Sequence, residues 1–251
     1  MKNPFSLQGK AALVTGANTG LGQGIAVALA EAGADIAVAG FVPPAETEAM
    51  IKKIGRKFLN IDANLMSIGP VARVVAETVA GLGKLDILVN NAGMIRRADS
   101  LEFSEKDWDD VMNVNLKSLF FMCQAAGRVM VEQGAGKIIN ICSMLSFQGG
   151  IRVPSYTASK SGAAGITRLL ANEWATKNIN VNAIAPGYMA TDNTAQLRQD
   201  EARSKEIMAR IPAGRWGEPS DVGGTAVFLA SSAADYLHGA IIPVDGGWLA
   251  R

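Results

Sequence analysis

Cysteine and histidine are scarce in this chain, which has two cysteines and one histidine among 251 residues. Cys123 and Cys142 are too few for a disulfide framework and lack the CxxC spacing of a redox or zinc motif. We expect both to be buried, reduced thiols, because free cysteine is usually buried. The single His238 excludes histidine-rich metal sites and disfavours hydride transfer assisted by a histidine. No cluster of carboxylates suggests a metal site, and none is predicted.

Excess charge and long apolar runs are also missing. The 24 basic and 23 acidic residues leave a net charge of +1, which offers no electrostatic attraction to nucleic acid or an anionic membrane. The N-terminal segment MKNPFSLQGK lacks the apolar stretch of a signal peptide. No apolar run approaches the roughly 18 residues of a membrane-spanning helix. We expect a cytoplasmic enzyme or binding protein with no nucleic-acid or membrane partner.

Short apolar runs alternate with helical patterns along the chain, whose apolar content of 49% can fill a large core. Runs that are apolar on both faces are typical of buried parallel strands, and they lie at 11–15, 34–40, 85–90, 137–142, 180–186 and 240–245. Helical patterns lie at 21–32, 44–54, 68–82, 105–132, 155–177 and 219–231. The alternation predicts an α/β fold with a doubly wound parallel sheet and helices on both faces, as one Rossmann-type domain over residues 1–251.

The region 188–217 breaks this rhythm, because it is polar and contains Pro212, Gly214 and Gly217. We interpret it as a flexible helical flap over a substrate and not as a domain boundary.

A glycine-rich stretch, TGANTGLGQG at 15–24, follows the first strand and opens a helix. Its spacing is TGxxxGxG, a variant of the dinucleotide fingerprint with a longer first gap. Glycines permit a tight turn, and the free N–H groups and positive dipole end of the helix suit a pyrophosphate. A glycine-rich turn without a ligand is the alternative. The predicted cofactor contacts in this turn are Gly16, Asn18, Thr19, Gly20, Leu21 and Gly22.

The end of the second strand decides between NAD and NADP. An acidic residue there normally holds the adenosine ribose of NAD, but this chain has Gly40 and Phe41. It also has no arginine or lysine there for a 2′-phosphate, which favours NAD. Phe41 is expected beside the ribose or adenine, or else in the core. Asp62, in FLNIDANL after the third strand, is expected either to accept a bond from the adenine amino group or to cap a helix.

Residues suited to proton transfer follow several strands. NNAG at 90–93 ends one strand, and Ser143 follows the next. Tyr156 and Lys160 begin a later helix, one turn apart on one face. Since ligands bind beyond the carboxyl ends of parallel strands, we expect these residues to converge there, with Asn115 in the long helix that follows NNAG.

At this point the sequence resembles the short-chain dehydrogenase/reductase family, through TGANTGLG, NNAG, Asn115, Ser143, YTASK and the PGYMAT segment at 186–191. The resemblance covers essentially the whole chain in the family's motif order. It implies an NAD-dependent enzyme that moves a hydride to or from a carbonyl carbon. It further implies cofactor contacts at Asn90, Ala92, Gly93, Tyr156, Lys160, Pro186, Gly187, Met189 and Thr191.

The resemblance also implies roles for the four catalytic candidates. Tyr156 would exchange the proton of the substrate oxygen, and Ser143 would hydrogen-bond that oxygen. A free tyrosine loses its proton only near pH 10, so the ammonium of Lys160 would favour the phenolate while also holding the nicotinamide ribose. Asn115 would anchor a water that relays protons. A homologue that binds a dinucleotide without chemistry is the alternative.

Stretches outside the general motifs, including LEFSEKDWDDVMNVNLKSLFFMCQAA and RIPAGRWGEPSD, resemble the members of this family that act on deoxy sugar acids in bacterial uronate breakdown. Such a substrate carries a carboxylate, for which arginine is the natural partner. Among Arg96, Arg97, Arg152 and Arg215, we expect Arg152 and Arg97 first. Gln148 and the backbone of Met144 are candidates for hydroxyl contacts, and Met144, Met189 and Trp216 for apolar walls. Each arginine could instead be a solvated surface residue.

Two further alternatives are a 3-oxoacyl-carrier-protein reductase and another sugar or polyol dehydrogenase of the family. The carrier-protein reductase should prefer NADPH and need a basic surface, and neither signal is present. The resemblance also implies a homotetramer assembled through the helices at 105–132 and 155–177 and the C-terminal strand.

Overall fold

A single parallel sheet organises the chain. The computed structural model describes residues 3–251, apart from the side chain of Asn193. In this range seven strands pair in the order β3-β2-β1-β4-β5-β6-β7, and every pairing is parallel. The strands are β1 Ala11–Thr15, β2 Asp35–Gly40, β3 Phe58–Asp62, β4 Ile87–Asn90, β5 Gly136–Ile141, β6 Ile179–Pro186 and β7 Ile241–Val244. The predicted doubly wound α/β fold is confirmed.

Helices connect the strands and follow the predicted segments closely. The α-helices of the described residues are α1 Gly20–Glu31, α2 Ala45–Lys53, α3 Val71–Leu82, α4 Glu105–Met112, α5 Leu119–Gln133, α6 Pro154–Trp174, α7 Ala195–Gln199, α8 Glu201–Arg210 and α9 Pro219–Ala230. Short 3-10 turns lie at Ser100–Glu102, Met144–Ser146, Ala175–Lys177, Asp192–Thr194, Ser232–Ala234 and Trp248–Ala250.

Each face of the sheet carries its own apolar core, because successive strand residues point to opposite faces. Leu13 of β1 joins a core with α3, α5 and α6, represented by Val74, Met122 and Ala163. Its neighbour Val14 joins the opposite core, which includes Ile25 of α1 and Val222 of α9. The strands are therefore buried on both sides, which explains why their sequences are apolar without alternation.

The strand β3 coincides with none of the predicted apolar runs, although the expected position of Asp62 implies a third strand before it. β3 is the edge strand beside β2, and it exposes Asn60 and Asp62 to solvent. An edge strand needs no continuous apolar run, so its composition hid it. Asp62 is the last residue of the strand and does not follow it.

The predicted helix 105–132 is interrupted near its middle. α4 and α5 are joined by a π-helical turn, Asn113–Ser118, that contains the catalytic candidate Asn115. A π turn adds one residue to a helix and often marks a functional site. The sequence pattern could not show this extra residue, because the apolar spacing continues on both sides of it.

The region 188–217 is helical, as predicted, and contains α7 and α8. Its flexibility stays a prediction.

Both cysteines lie in the core beside α5 and β5, as predicted, and neither forms a disulfide. Burial raises the pKa of the Cys123 thiol to about 12, and burial also raises the pKa of Cys142. Both thiols therefore stay protonated at neutral pH.

Within residues 3–251, no helix has the length and apolar character needed to cross a membrane. Over the same range, no three His, Cys, Asp or Glu side chains are grouped so as to hold a metal ion.

Candidate active site

A cleft of about 580 Å³ lies at the carboxyl edge of the sheet. The chain moves outward from β1 to β2 and β3, and then returns to place β4 on the other side of β1. The turns after β1 and β4 therefore leave the sheet in different directions, and such a switch point is where open α/β sheets bind ligands. The predicted residues that line the cleft are Gly16, Asn18, Thr19, Gly20, Leu21, Gly22, Phe41, Ala92, Gly93, Tyr156, Lys160 and Thr191.

Gly16 forms the floor of the cleft, where the turns after β1 and β4 touch. Its φ of 63° lies in the left-handed region, which favours glycine. A Cβ atom added at Gly16 would stand 2.9 Å from the Cα of Ala92. The position therefore requires glycine for its conformation and for its packing.

Asn91 joins these two turns through hydrogen bonds, although it is not among the predicted site residues. Its amide nitrogen donates to the carbonyl oxygens of Thr15 at 3.0 Å and Gly16 at 2.8 Å. The Thr15 hydroxyl in turn accepts from the main-chain nitrogens of Asn91 and Ala92. The repeated asparagine in NNAG was the available signal, and the two asparagines turn out to have different tasks.

The first turn of α1 faces the cleft without a side-chain cap. Thr19 occupies the N-cap position, but its hydroxyl accepts no hydrogen bond from the helix. The first amides of a helix need partners from outside the helix. Those of α1 are thus available to a phosphate, as the glycine pattern predicted.

The end of β2 forms the opposite rim of the cleft. Gly40, Phe41 and Val42 line it, and the side chain of Phe41 is 70% exposed. The alternative that Phe41 packs in the core is therefore wrong. Among the described lining residues, the cations are Arg96 and Lys160, and both come from segments after β4 and β5.

Asp62 lies beside this rim but outside the lining residues. It pairs in register with Gly40 at the ends of β3 and β2. It does not cap a helix, since α3 begins at Val71 with Pro70 at its N-cap. The helix-cap alternative is therefore wrong, and the adenine contact stays a prediction.

Lys160 and Tyr156 lie together at the inner end of the cleft, on adjacent turns of α6. The Lys160 ammonium donates to the carbonyl oxygen of Ile141, with Nζ and O 2.5 Å apart. It lies 5.6 Å from the centre of the Tyr156 ring. Lys160 is buried at 5% exposure, so its charge is screened less than that of a surface lysine.

Ser143 follows β5 and begins the 3-10 turn Met144–Ser146. Its hydroxyl accepts from the main-chain nitrogen of Leu145 at 3.2 Å, and its own nitrogen donates to the Ser146 hydroxyl. Ser146 in turn donates to the carbonyl oxygen of Lys160 at 2.7 Å. The Ser143 turn is therefore fastened directly to the helix that carries Tyr156 and Lys160.

Both polar atoms of the Asn115 side chain have hydrogen-bond partners in the protein. Its Oδ1 accepts from the nitrogen of Met94 at 2.8 Å, and its Nδ2 donates to the Met94 oxygen at 2.9 Å and to Ser159 at 3.3 Å. Asn115 therefore binds the loop after NNAG to α6.

Besides Asp62, four predicted cofactor contacts lie outside the residues that line the cleft. The Asn90 amide donates away from the cleft, to Asn140 at 2.9 Å and to the Cys123 sulfur at 3.2 Å. Met189 is buried in a core of the sheet. Pro186 ends β6, and Gly187 packs so tightly that a Cβ would stand 2.6 Å from the Cα of Asp245. Contact of these four residues with a cofactor through their main chain stays a prediction.

The structure places the four arginine candidates differently, and which of them binds a substrate carboxylate stays a prediction. Arg152, expected first for a substrate carboxylate, is paired with Asp99 at 3.2 Å on the surface, and both side chains are more than half exposed. Arg215 forms two short bonds to Asp221, which hold the pKa of that carboxyl at about 2. Arg97 is exposed on the loop after NNAG. Only Arg96 of the four lines the cleft.

Arg96 is held there by acidic residues of α4, with Nε 3.2 Å from Asp107 and Nη2 3.8 Å from Asp110. Gln148, the candidate for a hydroxyl contact, is half-buried outside the lining. Arg96 is not one of the two arginines expected first, because the direction in which neighbouring loop residues point has no periodic signal.

Further lining residues were not among the predictions. They come from the end of β2, from the turns after β2, β3 and β4, from the π turn, from β5 and from the start of the flap: Gly40, Val42, Ala63, Asn64, Leu65, Met66, Asn91, Met94, Val114, Ile141 and Asp192.

The chain belongs to the short-chain dehydrogenase/reductase family. A family model described as enoyl-(acyl carrier protein) reductase matches residues 16–249. Within the family the chain is 66% identical over 250 residues to the 2-dehydro-3-deoxy-D-gluconate 5-dehydrogenase of Dickeya dadantii, and the match covers 99% of each chain.

Solved structures agree with this assignment. A structure from Agrobacterium tumefaciens, provisionally assigned as a 2-deoxy-D-gluconate 3-dehydrogenase with bound NADP, superposes with a TM-score of 0.94 at 60% identity over all of both chains. A gluconate 5-dehydrogenase from Burkholderia cenocepacia, in complex with NADP and tartrate, superposes with a TM-score of 0.94 at 37% identity, over 99% of this chain and 98% of that one.

The close packing at Gly16 predicts a specific loss of dinucleotide binding. Gly16→Ala forces a methyl group against Ala92, so we expect NADH affinity to fall by about tenfold or more, measured by isothermal titration calorimetry. Gly9→Ala is the matched control, because Gly9 has a φ of 74° with open space around its Cβ position. It should lower stability through backbone strain alone. Equal NADH affinities in the two variants would contradict the packing argument.

Proposed function

We propose that this protein is an oxidoreductase that transfers hydride between a nicotinamide dinucleotide and a keto or hydroxy deoxy sugar acid, 2-dehydro-3-deoxy-D-gluconate or 2-deoxy-D-gluconate, in uronate catabolism. The observation that carries the proposal is the pair of Tyr156 and Lys160 in the lining of a dinucleotide cleft. The Ser143 turn is tied to Lys160 through the Ser146 hydroxyl. The relative from Dickeya dadantii supports the substrate class.

The glycine turn, the uncapped start of α1 and the neutral rim at Gly40 fit a nicotinamide dinucleotide. When bound, it would supply the hydride acceptor or donor. The Tyr156 hydroxyl exchanges the proton of the substrate oxygen. The Ser143 hydroxyl donates to the same oxygen and fixes its distance from Tyr156.

Lys160 supports Tyr156 electrostatically and does not need to move to do so. Its ammonium is anchored by the Ile141 carbonyl, which is a neutral acceptor and leaves the positive charge uncompensated. A tyrosinate nearby is stabilised by that charge. Asn115 keeps α6 in place beside the NNAG loop, and its main chain would hold the water of a proton relay.

NAD is the cofactor we propose as preferred. The described lining residues at the end of β2 include no cation that could pair with a 2′-phosphate. The related structures from Agrobacterium tumefaciens and Burkholderia cenocepacia contain NADP, so both cofactors must be compared directly.

A 3-oxoacyl-carrier-protein reductase is the second candidate. The matching family model carries the description of another carrier-protein enzyme, enoyl-(acyl carrier protein) reductase. An acidic carrier protein needs a basic docking surface, and the net charge of +1 does not provide a general one.

The proposed assembly is a cytoplasmic homotetramer. The outermost strand, β7, has an unpaired edge in the described chain, and Leu169 of α6 is 49% exposed. A second copy could cover both the strand edge and this helix face.

Turnover by the unaltered protein is the primary test. With 2-dehydro-3-deoxy-D-gluconate or 2-deoxy-D-gluconate, we expect formation or consumption of NADH, followed by absorbance, and a higher kcat/KM with NAD(H) than with NADP(H). Turnover of neither sugar acid, with turnover of an acetoacetyl thioester, would replace the proposal by the second candidate. A higher kcat/KM with NADPH would overturn the cofactor assignment alone.

Tyr156→Phe tests the proton donor. The hydroxyl is removed while the ring beside Lys160 remains, so kcat should fall by about a hundredfold or more and NADH affinity should stay unchanged. Tyr236→Phe is the matched control, because Tyr236 is fully exposed on the surface and should keep full activity. A Tyr156→Phe variant with normal kcat would disprove the assigned role.

Arg96→Ala tests recognition of the carboxylate. Loss of a charge-assisted contact should raise KM for the sugar acid by about tenfold to a hundredfold, with little change for a 2-deoxy aldose that lacks the carboxylate. Arg152→Ala serves as the matched control, because Arg152 pairs with Asp99 outside the cleft. A larger KM change for Arg152→Ala than for Arg96→Ala would restore the original ranking of the arginines.

A further inference from the structure

A third apolar cluster lies apart from the two cores of the sheet. We name it the flap cluster; its buried members are Met144, Ile207, Ile211 and Trp248, and Tyr188, Leu197, Trp216 and Leu249 pack against them. It joins the residue directly after Ser143, the end of helix α8 and the C-terminal turn. The flap cluster thus touches both the catalytic loop and the flap.

Trp248 is the centre of the flap cluster. The side chain is 5% exposed, and its ring centre lies 4.8 Å from that of Tyr188, edge on. On the other side the Arg210 guanidinium, at the end of α8, lies 3.9 Å from the indole centre. An indole face attracts a cation at this distance, so Trp248 holds the end of α8.

Hydrogen bonds fix the C-terminal turn that carries Trp248. The Asp245 carboxylate accepts from the main-chain nitrogens of Gly247 and Leu249, both at 2.9 Å. Two further bonds tie the turn to the flap: Arg251 donates to the carbonyl oxygen of Ala209 at 2.7 Å, and Ala213 donates to that of Gly246 at 2.9 Å.

The indole nitrogen of Trp248 finds no hydrogen-bond acceptor among the described residues. Packing and the Arg210 contact therefore hold the ring, with no polar bond to fix its position. Its effect should depend on the shape and the aromatic face of the side chain.

We propose that Trp248 is a positioning residue, which locks α8 against the Met144 loop so that the flap and the Ser143 hydroxyl keep a fixed arrangement around the substrate. Two contacts carry the argument: Ile207 and Ile211 of the flap share the cluster with Met144, and Thr191 and Asp192 at the start of the flap line the cleft. The effect on substrate rests on the proposed function, whereas the effect on α8 does not.

The test compares Trp248→Leu and Trp248→Phe with the unaltered full-length chain. Hydrogen exchange of α8, followed by mass spectrometry, should become about tenfold faster or more in Trp248→Leu. KM for the sugar acid should rise by about tenfold or more, while NADH affinity stays within about twofold. Trp248→Phe keeps an aromatic face for Arg210, so its α8 exchange rate and its KM should stay close to those of the unaltered chain.

Trp174→Leu is the matched control. Trp174 ends α6 and packs beside Gly127 of α5, far along the chain from the flap cluster. It should lower the melting temperature without changing KM or the exchange of α8. If Trp248→Leu fails to fold, Arg210→Met replaces it as the test, because it removes only the guanidinium on the indole face. It should also speed the exchange of α8 and raise KM, both by a smaller factor.

Unchanged α8 exchange in folded Trp248→Leu would overturn the proposal. Faster exchange with unchanged KM would overturn the link to Ser143, and a KM change as large in Trp174→Leu would reduce Trp248 to a stabilising residue. If the unaltered protein does not turn over the sugar acid, the proposed function fails, and the exchange rates alone then decide whether Trp248 locks the flap.

Discussion

The contact between the turns after β1 and β4 is the constraint on which the site depends. It exists because Gly16 has no side chain and Asn91 bonds across the gap to two carbonyl oxygens. This contact sets the depth of the cleft and the direction in which α1 leaves the sheet. The phosphate-binding end and the NNAG end of the site are therefore parts of one rigid junction.

Further hydrogen bonds to main-chain and hydroxyl groups connect this junction to the segments that carry the catalytic candidates. Ile141 ends β5 and accepts from Lys160, while Ser146 ties the Ser143 turn to the same lysine residue. Asn115 then binds the helix of Tyr156 to the loop after NNAG. The reactive groups are thus positioned by strand ends and helix starts, which are stiffer than free loops, and this arrangement favours a fixed reaction geometry.

Sequence reasoning predicted what depends on periodicity and on glycine. The strands with buried faces, the helices between them and the glycine turn lie within a few residues of their expected bounds. It implied β3 only through the position of Asp62 and gave it no bounds, since the edge position leaves Asn60 exposed. It missed the π turn, which does not alter the apolar spacing. It also ranked Arg152 above Arg96, since the ion pair of Arg152 with Asp99 depends on loop geometry that no pattern encodes.

The π turn at Asn113–Ser118 determines which directions the side chains of α4 and α5 face. Each residue of a helix turns the following ones by about 100°, so one inserted residue rotates α5 relative to α4. α5 can then pack on the sheet through Met122 and Ala126, while the acidic side of α4 turns to hold Arg96. One helical segment of the chain therefore serves two directions: α5 faces the core of the sheet, and α4 presents Asp107 and Asp110 to Arg96.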